Sequence, residues 1–339
     1  MIFKPKRVYF ENTARDYPLG KQLYDYFQGQ DVEVKIIGSH NRVTGIPGKT
    51  PQQAYMEAKR TLVVGVRRTL KFSPCKPSAH YQLPISTSCT GKCEYCYLNT
   101  TLGKKPYIRV YVNVDQILDQ TRKYIQERKP ELTLFEGAAT SDPVPVERYT
   151  GSLKKTIQFF GDQELGRFRF VTKFTDIDSL LHVEHCGHTT FRFSLNTDRV
   201  IKDYEHDTPR AGERVEAAGK VARADYPLGF LIAPIFIYDQ WEKDYLTLLQ
   251  SLRETLPSNV KNISFELITH RFTARAKNRI LEVFPQTTLP MEEKERKFKY
   301  GQFGYGKYIY TKEEMNDIKK FFANHIESIF PGAEIKYLV

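Results

Sequence analysis

Ser88-Cys89-Thr90-Gly91-Lys92-Cys93-Glu94-Tyr95-Cys96-Tyr97 is the stretch on which the reading of the chain turns. It holds three of the five cysteines, spaced Cys-x3-Cys-x2-Cys. Thiolates grouped in this way wrap a soft metal centre, since zinc and iron–sulfur clusters are both held by Cys sulfur. A closed structural zinc site takes four ligands, and this motif supplies three. A [4Fe–4S] cluster on Cys89, Cys93 and Cys96 keeps one iron open for another ligand. The alternatives are a zinc knot completed by the nearby His80, or unrelated buried thiols.

Working outward, the cysteine loop follows an apolar run at residues 83–88, and from there a strand–helix rhythm takes over. Strands are predicted at 83–88, 132–136, 167–173, 190–195, 229–236 and 262–267. Helical spacing lies between and after them at 114–128, 147–160, 176–183, 213–224, 241–256 and 273–284. Six such units predict an α/β fold with a parallel sheet, a partial (β/α)6 barrel of TIM type. The cysteine loop then sits at the carboxyl side of the first strand, where such sheets place their chemistry.

Residues 1–80 read as an N-terminal α/β extension, with strands at 7–11, 31–37 and 61–66 and helices at 17–28 and 51–60. Residues 81–285 are the barrel. Residues 286–339 form a C-terminal β-hairpin plus helix, the hairpin built from alternating aromatic and basic residues around glycines.

The 339 residues are 40% hydrophobic and 27% charged, which sustains a globular core. The net charge of +11 suits a polyanionic partner. The N-terminus has no apolar signal-peptide core. The longest apolar run, 226–238, is interrupted by Pro227, Gly229 and Pro234 and is too short to span a bilayer. Clustered cysteines without a disulfide framework fit a reducing cytoplasm.

Strand ends at the carboxyl face are the candidate site. Glu136 closes the second strand and Lys173 the third. Ser194 and Asn196 share one face of the fourth by strand period, suited to ribose hydroxyls. The apolar fifth strand, around Ala233, suits an adenine wall. Each has a plainer reading: a paired carboxylate for Glu136, a snorkelling Lys173, core packing for the fifth strand. The run His182-Val183-Glu184-His185-Cys186-Gly187-His188 looks metal-binding on paper but falls at the opposite end of the strands, so a structural role is expected. Cys75, in a Pro-rich loop, is read as a bystander.

Cys89-x3-Cys93-x2-Cys96 with Tyr95 resembles the cluster loop of the radical S-adenosylmethionine enzymes. The resemblance implies a [4Fe–4S] cluster whose open iron chelates S-adenosylmethionine, which one electron cleaves to a 5′-deoxyadenosyl radical. A reducing electron donor of flavodoxin or ferredoxin type is implied with it. Glu136-Gly137 resembles the element that holds the methionine amino group, and Ser141 falls with the cofactor set.

Four stretches resemble one branch, the spore photoproduct lyase family: 89–98, 135–143, 268–273 and 299–308. The likeness runs along nearly the whole chain. It implies repair of 5-thyminyl-5,6-dihydrothymine in UV-damaged DNA of the spore core, by hydrogen abstraction at C6 and scission of the methylene bridge. In the family a cysteine then donates hydrogen to the thymine methyl radical, and tyrosines matching Tyr95 and Tyr97 relay the radical back.

Here the donor position is Ala139, which has no comparably weak bond to hydrogen. Either this is an engineered or trapped form, or a divergent member uses another donor; with the flanking residues matching the family, the expectation is the first, impaired in the last step. His270, Arg271, Lys297, Lys299, Tyr305 and Lys307 are the expected DNA contacts. The alternative function is a radical enzyme acting on another nucleic acid or a peptide.

Overall fold

The computed structural model describes residues 2–76, 78–300, 304 and 306–339. Two compact units emerge, Met1–Gly91 with Leu102–Thr190, and Lys92–Thr101 with Phe191–Val339.

In the first unit, β1 (Arg7–Glu11), β2 (Glu33–Ile37) and β3 (Thr61–Gly65) form a parallel sheet with β1 in the middle. Helices α1 (Pro18–Gln28) and α2 (Pro51–Lys59) make the crossovers, each with proline in its first turn, where a missing N–H costs nothing. All five residues of β1 and of β3 are buried, as expected for parallel strands covered on both faces. Val8, Phe10, Leu62 and Val64 pack with Leu23 and Phe27 of α1 on one face. Tyr9, Val63 and Ala58 pack on the other.

A second parallel sheet in this unit uses β4 (Ala79–Gln82). The chain then places β5 (Ser86–Thr87) back on the first sheet, antiparallel to β6 (Ile108–Tyr111), which itself runs parallel to β3. β7 (Thr133–Glu136) pairs in parallel with β4 and with β8 (Gly166–Thr172). The run 83–88 is therefore not one strand. Pro84 has no N–H for a ladder, so the chain splits there between two sheets. Strand β6 was not predicted, and the helix expected at 147–160 is two helices, Val144–Thr150 and Ser152–Gly161, separated by Gly151 at φ +58°. The helix expected at 176–183 is only a 3-10 turn, Asp178–Leu180.

In the second unit β9 (Thr189–Leu195, whose first two residues belong to the first unit) pairs in parallel with β10 (Leu228–Ile235). β10 pairs with β11 (Ser264–Thr269). The predicted hairpin is present as β12 (Lys297–Tyr300) against β13 (Gly306–Ile309), in antiparallel register. The last strand, β14 (Glu334–Leu338), closes parallel to β11. Helices Ala211–Arg223, Trp241–Thr255 and Ala274–Val283 match the predicted spacing within two residues. No helix among the described residues is long and apolar enough to cross a membrane.

Candidate active site

Cys89 belongs to the first unit, at the end of a tightly held turn. The residue before it, Ser88, sits at φ +72°, in a region that costs a non-glycine residue energy unless its surroundings impose it. They do. Ser88 N–H donates to Thr140 O (2.8 Å), its carbonyl accepts from Asp142 N–H (3.3 Å), and its hydroxyl donates to Pro106 O (2.8 Å). The cysteine loop is thus tied at its start to the segment that contains Ala139. Buried Lys59 donates to the Cys89 carbonyl (2.7 Å), and Gly91 N–H reaches Cys89 Sγ (3.3 Å).

The same unit carries Glu136, Ala139, Ser141 and Lys173. Glu136 ends β7 buried, paired with Arg169 Nε (3.1 Å) and accepting from Ala138 N–H (3.1 Å). The next residue has to be glycine, because a Cβ on residue 137 would lie 2.6 Å from the ring of Phe168. Asp142, to which sequence reasoning gave no role, is the hub of this end of the sheet. Its carboxylate accepts from Thr172 Oγ1 (2.8 and 3.0 Å), from Lys173 N–H (3.0 Å) and from Val144 N–H (3.2 Å). Burial outweighs these donors and pushes its pKa up to about 6. Asp142 therefore fixes where Lys173 leaves β8.

Cys93 and Cys96 belong to the second unit. Cys93 is buried in a two-residue antiparallel ladder, opposite Glu205. Asn99 closes the loop, its amide donating to the carbonyls of Cys93 (3.0 Å) and Glu94 (3.3 Å). The two tyrosines differ sharply. The Tyr95 hydroxyl donates to the Glu205 carboxylate, and burial, then that carboxylate, raises its pKa well above the ordinary value. Tyr97 is 55% exposed.

Glu205 is also paired with fully buried Arg214 (2.6 Å), which donates to Ser194 O (3.0 Å), Pro209 O (2.9 Å) and Thr208 Oγ1 (2.8 Å). One ion pair so links the cysteine loop to the end of β9. Asn196 is fully buried and its side chain is taken up within the fold. The amide donates to Pro234 O (2.8 Å), and Oδ1 accepts from Tyr245 OH (2.9 Å) and Thr197 N–H (3.0 Å). Ala233 is half-buried on β10.

Of the expected DNA contacts, His270 is 2% exposed, stacked on Phe236 with Phe272 beyond, and burial lowers its pKa to about 3. It presents no surface to DNA in this conformation. Arg271, Lys297 and Lys299 are exposed and Lys307 is half-buried. Lys299 lies directly opposite Lys307 in the hairpin register, and Arg271 helps burial depress the Lys307 pKa. Like charges face to face disfavour a strand pair unless an anion lies between them. Tyr305 lies outside the described residues.

None of the five cysteines is joined in a disulfide. Among the described residues no three His, Cys, Asp or Glu side chains are grouped to hold a single metal ion. A cubane does not require that, because each of its three thiolates binds a different iron. The chemistry of the donor set fits one: three cysteine thiols with no disulfide between them, and the Gly91 N–H at hydrogen-bond distance from Cys89 Sγ. His80 accepts from Leu134 N–H at Nδ1 (2.9 Å), and the His188 ring Nδ1 is hydrogen-bonded with Phe160 O (2.8 Å).

Parallel strands joined by helices, with a paired carboxylate closing one strand and a three-cysteine loop in the chain, define an α/β protein. The chain belongs to the spore photoproduct lyase family, whose model "Spore photoproduct lyase" matches residues 3–339. It is 54% identical over 334 residues to a spore photoproduct lyase of Clostridium acetobutylicum, covering 98% of each chain. It is 50% identical over 336 residues to that of Bacillus subtilis, covering 99% of this chain and 98% of the relative. Its fold matches a doubly substituted spore photoproduct lyase with bound AdoMet and dinucleoside spore photoproduct, with a TM-score of 0.97 at 50% identity over all of both chains. A further spore photoproduct lyase complexed with the dinucleoside matches at 0.96. The expected α/β class with a half-barrel sheet is the fold shared with these structures.

Proposed function

We propose that this chain is a radical S-adenosylmethionine lyase that reverses the spore photoproduct in DNA to two thymines. The observation that carries the reading is the match over the whole chain to a structure holding both AdoMet and the dinucleoside lesion. A [4Fe–4S] cluster on Cys89, Cys93 and Cys96 would supply the electron that cleaves S-adenosylmethionine to a 5′-deoxyadenosyl radical. Residues 81–285 form the cofactor region in this reading, and 286–339 meet DNA.

The chain's own residues then divide the work. Lys59 and Gly91 hold the Cys89 end of the loop, and Asn99 the Cys93 end. Lys173, set by Asp142, is the cation for the methionine carboxylate, and Glu136 and Ser141 bind on the same side. Ser194 and Ala233 receive the nucleoside. Asn196, its amide engaged with Pro234 and Tyr245, positions that strand end rather than meeting the ribose. Arg271, Lys297, Lys299 and Lys307 neutralise phosphates. Tyr305, outside the described residues, is assigned to lesion recognition, while His270 acts by holding its neighbours in place.

After the bridge of the lesion breaks, a thymine methyl radical needs a hydrogen atom. Ala139 stands at the donor position and offers only strong C–H bonds, so the last step stalls here. Tyr95, hydrogen-bonded to Glu205, and exposed Tyr97 are the relay on the return path. A small flavodoxin or ferredoxin supplies electrons, and the place of action is the spore core.

The test is 5′-deoxyadenosine formation under anaerobic reduction, with and without dinucleoside spore photoproduct. Stimulation by the lesion supports the proposal even when thymine yield is poor. Cofactor cleavage that ignores the lesion would discard it as substrate and leave a radical enzyme of another nucleic acid or a peptide.

A further inference from the structure

The charge of this protein is segregated. Residues 1–112 hold 18 Lys and Arg against 7 Asp and Glu, and residues 113–339 hold 33 of each. The whole net charge of +11 therefore lies in the first third of the chain, in and around the N-terminal sheet.

That sheet has a topological switch point, since β1 is flanked by β2 on one side and β3 on the other. Open parallel sheets bind ligands at such a point, beyond the carboxyl ends of the strands. Here the crevice is filled by the protein itself. The ring of His40 lies over Gly65, where any Cβ would approach it to 2.6 Å, and its Nδ1 is 2.6 Å from Oε2 of Glu11. Glu11 also accepts from Val66 N–H (3.0 Å) and pairs with Arg68. His40 and Glu11, both buried, occupy the space over β1 and β3 at the switch point. What this edge presents outward is a rim of arginines.

Arg15 follows β1, Arg42 follows β2, and Arg67 and Arg68 follow β3. Arg109 on β6 donates to Asn41 (3.1 Å), and Arg68 reaches Thr13 Oγ1 (3.4 Å), so the loops are stitched into one surface. Arg15, Arg42 and Arg68 are exposed, and Arg67 and Arg109 half-exposed. The acids there are Glu11, buried and already engaged, and exposed Asp16. Elsewhere on the sheet charges are paired: Arg7 with Glu33 (3.3 Å) and Glu57 (2.7 Å), and Lys35 with Glu33. Arg109 faces Thr87 in the register, two residues before Cys89, so the rim adjoins the strand that delivers the cysteine loop.

We propose that this arginine rim is a second DNA-contact surface, binding the phosphate backbone of the duplex that flanks the lesion. It rests on the lesion reading above and extends it, because the dinucleoside lesion lacks that flanking backbone. Forked guanidinium groups along an edge whose crevice is occupied by His40 and Glu11 suit a run of phosphates rather than a single small anion.

The test uses the full-length reconstituted protein, an undamaged duplex of about 20 base pairs, and salt titration between about 50 and 200 mM. Arg42→Gln with Arg67→Gln is compared with Lys319→Gln and Lys320→Gln, an equal loss of charge on the exposed face of the C-terminal helix Lys312–Ile329. Each lost phosphate contact lowers the slope of log affinity against log salt by about 0.9. The arginine pair is expected to lose about 1.8 in slope and the lysine pair nothing, while lesion-stimulated 5′-deoxyadenosine formation on the dinucleoside stays at wild-type level in both. Equal slopes for the two pairs would overturn the inference and leave the lyase reading standing. So would loss of dinucleoside turnover in the arginine pair, which would place those residues in the fold or the site. Absence of lesion stimulation in the wild-type protein would instead defeat the lyase reading.

Discussion

Replacing Arg214 by methionine is the sharpest perturbation the structure offers. Arg214 and Glu205 are both buried side chains with no water-exposed surface, 2.6 Å apart, and Glu205 also receives the Tyr95 hydroxyl. Removing one partner of a buried pair leaves an uncompensated charge, at a cost of about 3–5 kcal/mol. Arg214→Met should therefore lower the melting temperature by roughly 6–20 °C, at ~2–4 °C per kcal/mol for a domain of 150–250 residues. The double variant Arg214→Met, Glu205→Leu removes the stranded charge. It still leaves the buried Tyr95 hydroxyl without its acceptor, about 1–3 kcal/mol. The double should thus be more stable than Arg214→Met alone, a coupling that a double-mutant cycle by urea denaturation reads directly.

Two results would refute this reasoning. Additive single effects would show that Arg214 and Glu205 do not depend on each other. A cost below about 1 kcal/mol for Arg214→Met would show that Glu205 carries no charge to strand. Because Arg214 also holds the Ser194 carbonyl, the same variant should raise the KM for S-adenosylmethionine more than it lowers kcat.

Glu147 caps the helix Ser152–Gly161 by accepting from Leu153 and Lys154 N–H, yet burial pushes its pKa up to about 7. A carboxyl whose folded pKa lies above its unfolded value of about 4.3 favours the fold below that value, and the contribution fades as pH rises through about 7. Melts at pH 5 and pH 8 should show the wild type gaining stability on acidification relative to Glu147→Gln; parallel profiles would remove Glu147 as the cause. Lys299→Gln should relieve the cross-strand repulsion with Lys307, stabilising the free protein by about 0.2–1 kcal/mol, while reducing the salt slope of DNA binding by about 0.9. Weaker DNA binding without a change of slope would mean that Lys299 touches no phosphate. Ala139→Cys should raise the yield of intact thymine product at least tenfold over by-products, read by chromatography of the dinucleoside reaction; equal clean repair by both forms would show that another group donates.

The cysteine loop was legible because its chemistry is local: three thiols within eight residues define a donor set whatever the rest of the chain does. Strand–helix order was legible for a similar reason, since apolar runs and helical spacing are short-range patterns. What failed was decided at a distance. Pro84 divides one apolar run between two sheets, and whether Ile108–Tyr111 is a strand depends on β3 lying ready to pair with it. His270-Arg271 reads as a surface dipeptide, but Phe236, 34 residues earlier, takes the imidazole into the core. Asp142 and Glu205 escaped notice because a carboxylate's importance lies in its partners. Those are Thr172 and Lys173 for one, and Tyr95 and Arg214 for the other, brought together only by the fold.

The way Asp142 and Ser88 are tied bears on what Ala139 does. The segment around residue 139 is held by main-chain bonds, Ser88 N–H to Thr140 O and Asp142 N–H to Ser88 O, and by the Asp142 carboxylate on Thr172 and Lys173. None of these uses the side chain at 139. Exchanging a cysteine for alanine there removes one sulfur and leaves the strained Ser88 turn, the Cys89 loop and Lys173 where they are. The defect proposed for this chain is therefore chemical rather than structural. Lesion binding and cofactor cleavage should proceed as in a form with cysteine at 139, and the two forms should part only at the last hydrogen transfer. A difference in S-adenosylmethionine affinity between Ala139 and Ala139→Cys would contradict this, because it would mean that the side chain at 139 shapes the cofactor site and not only the end of the reaction.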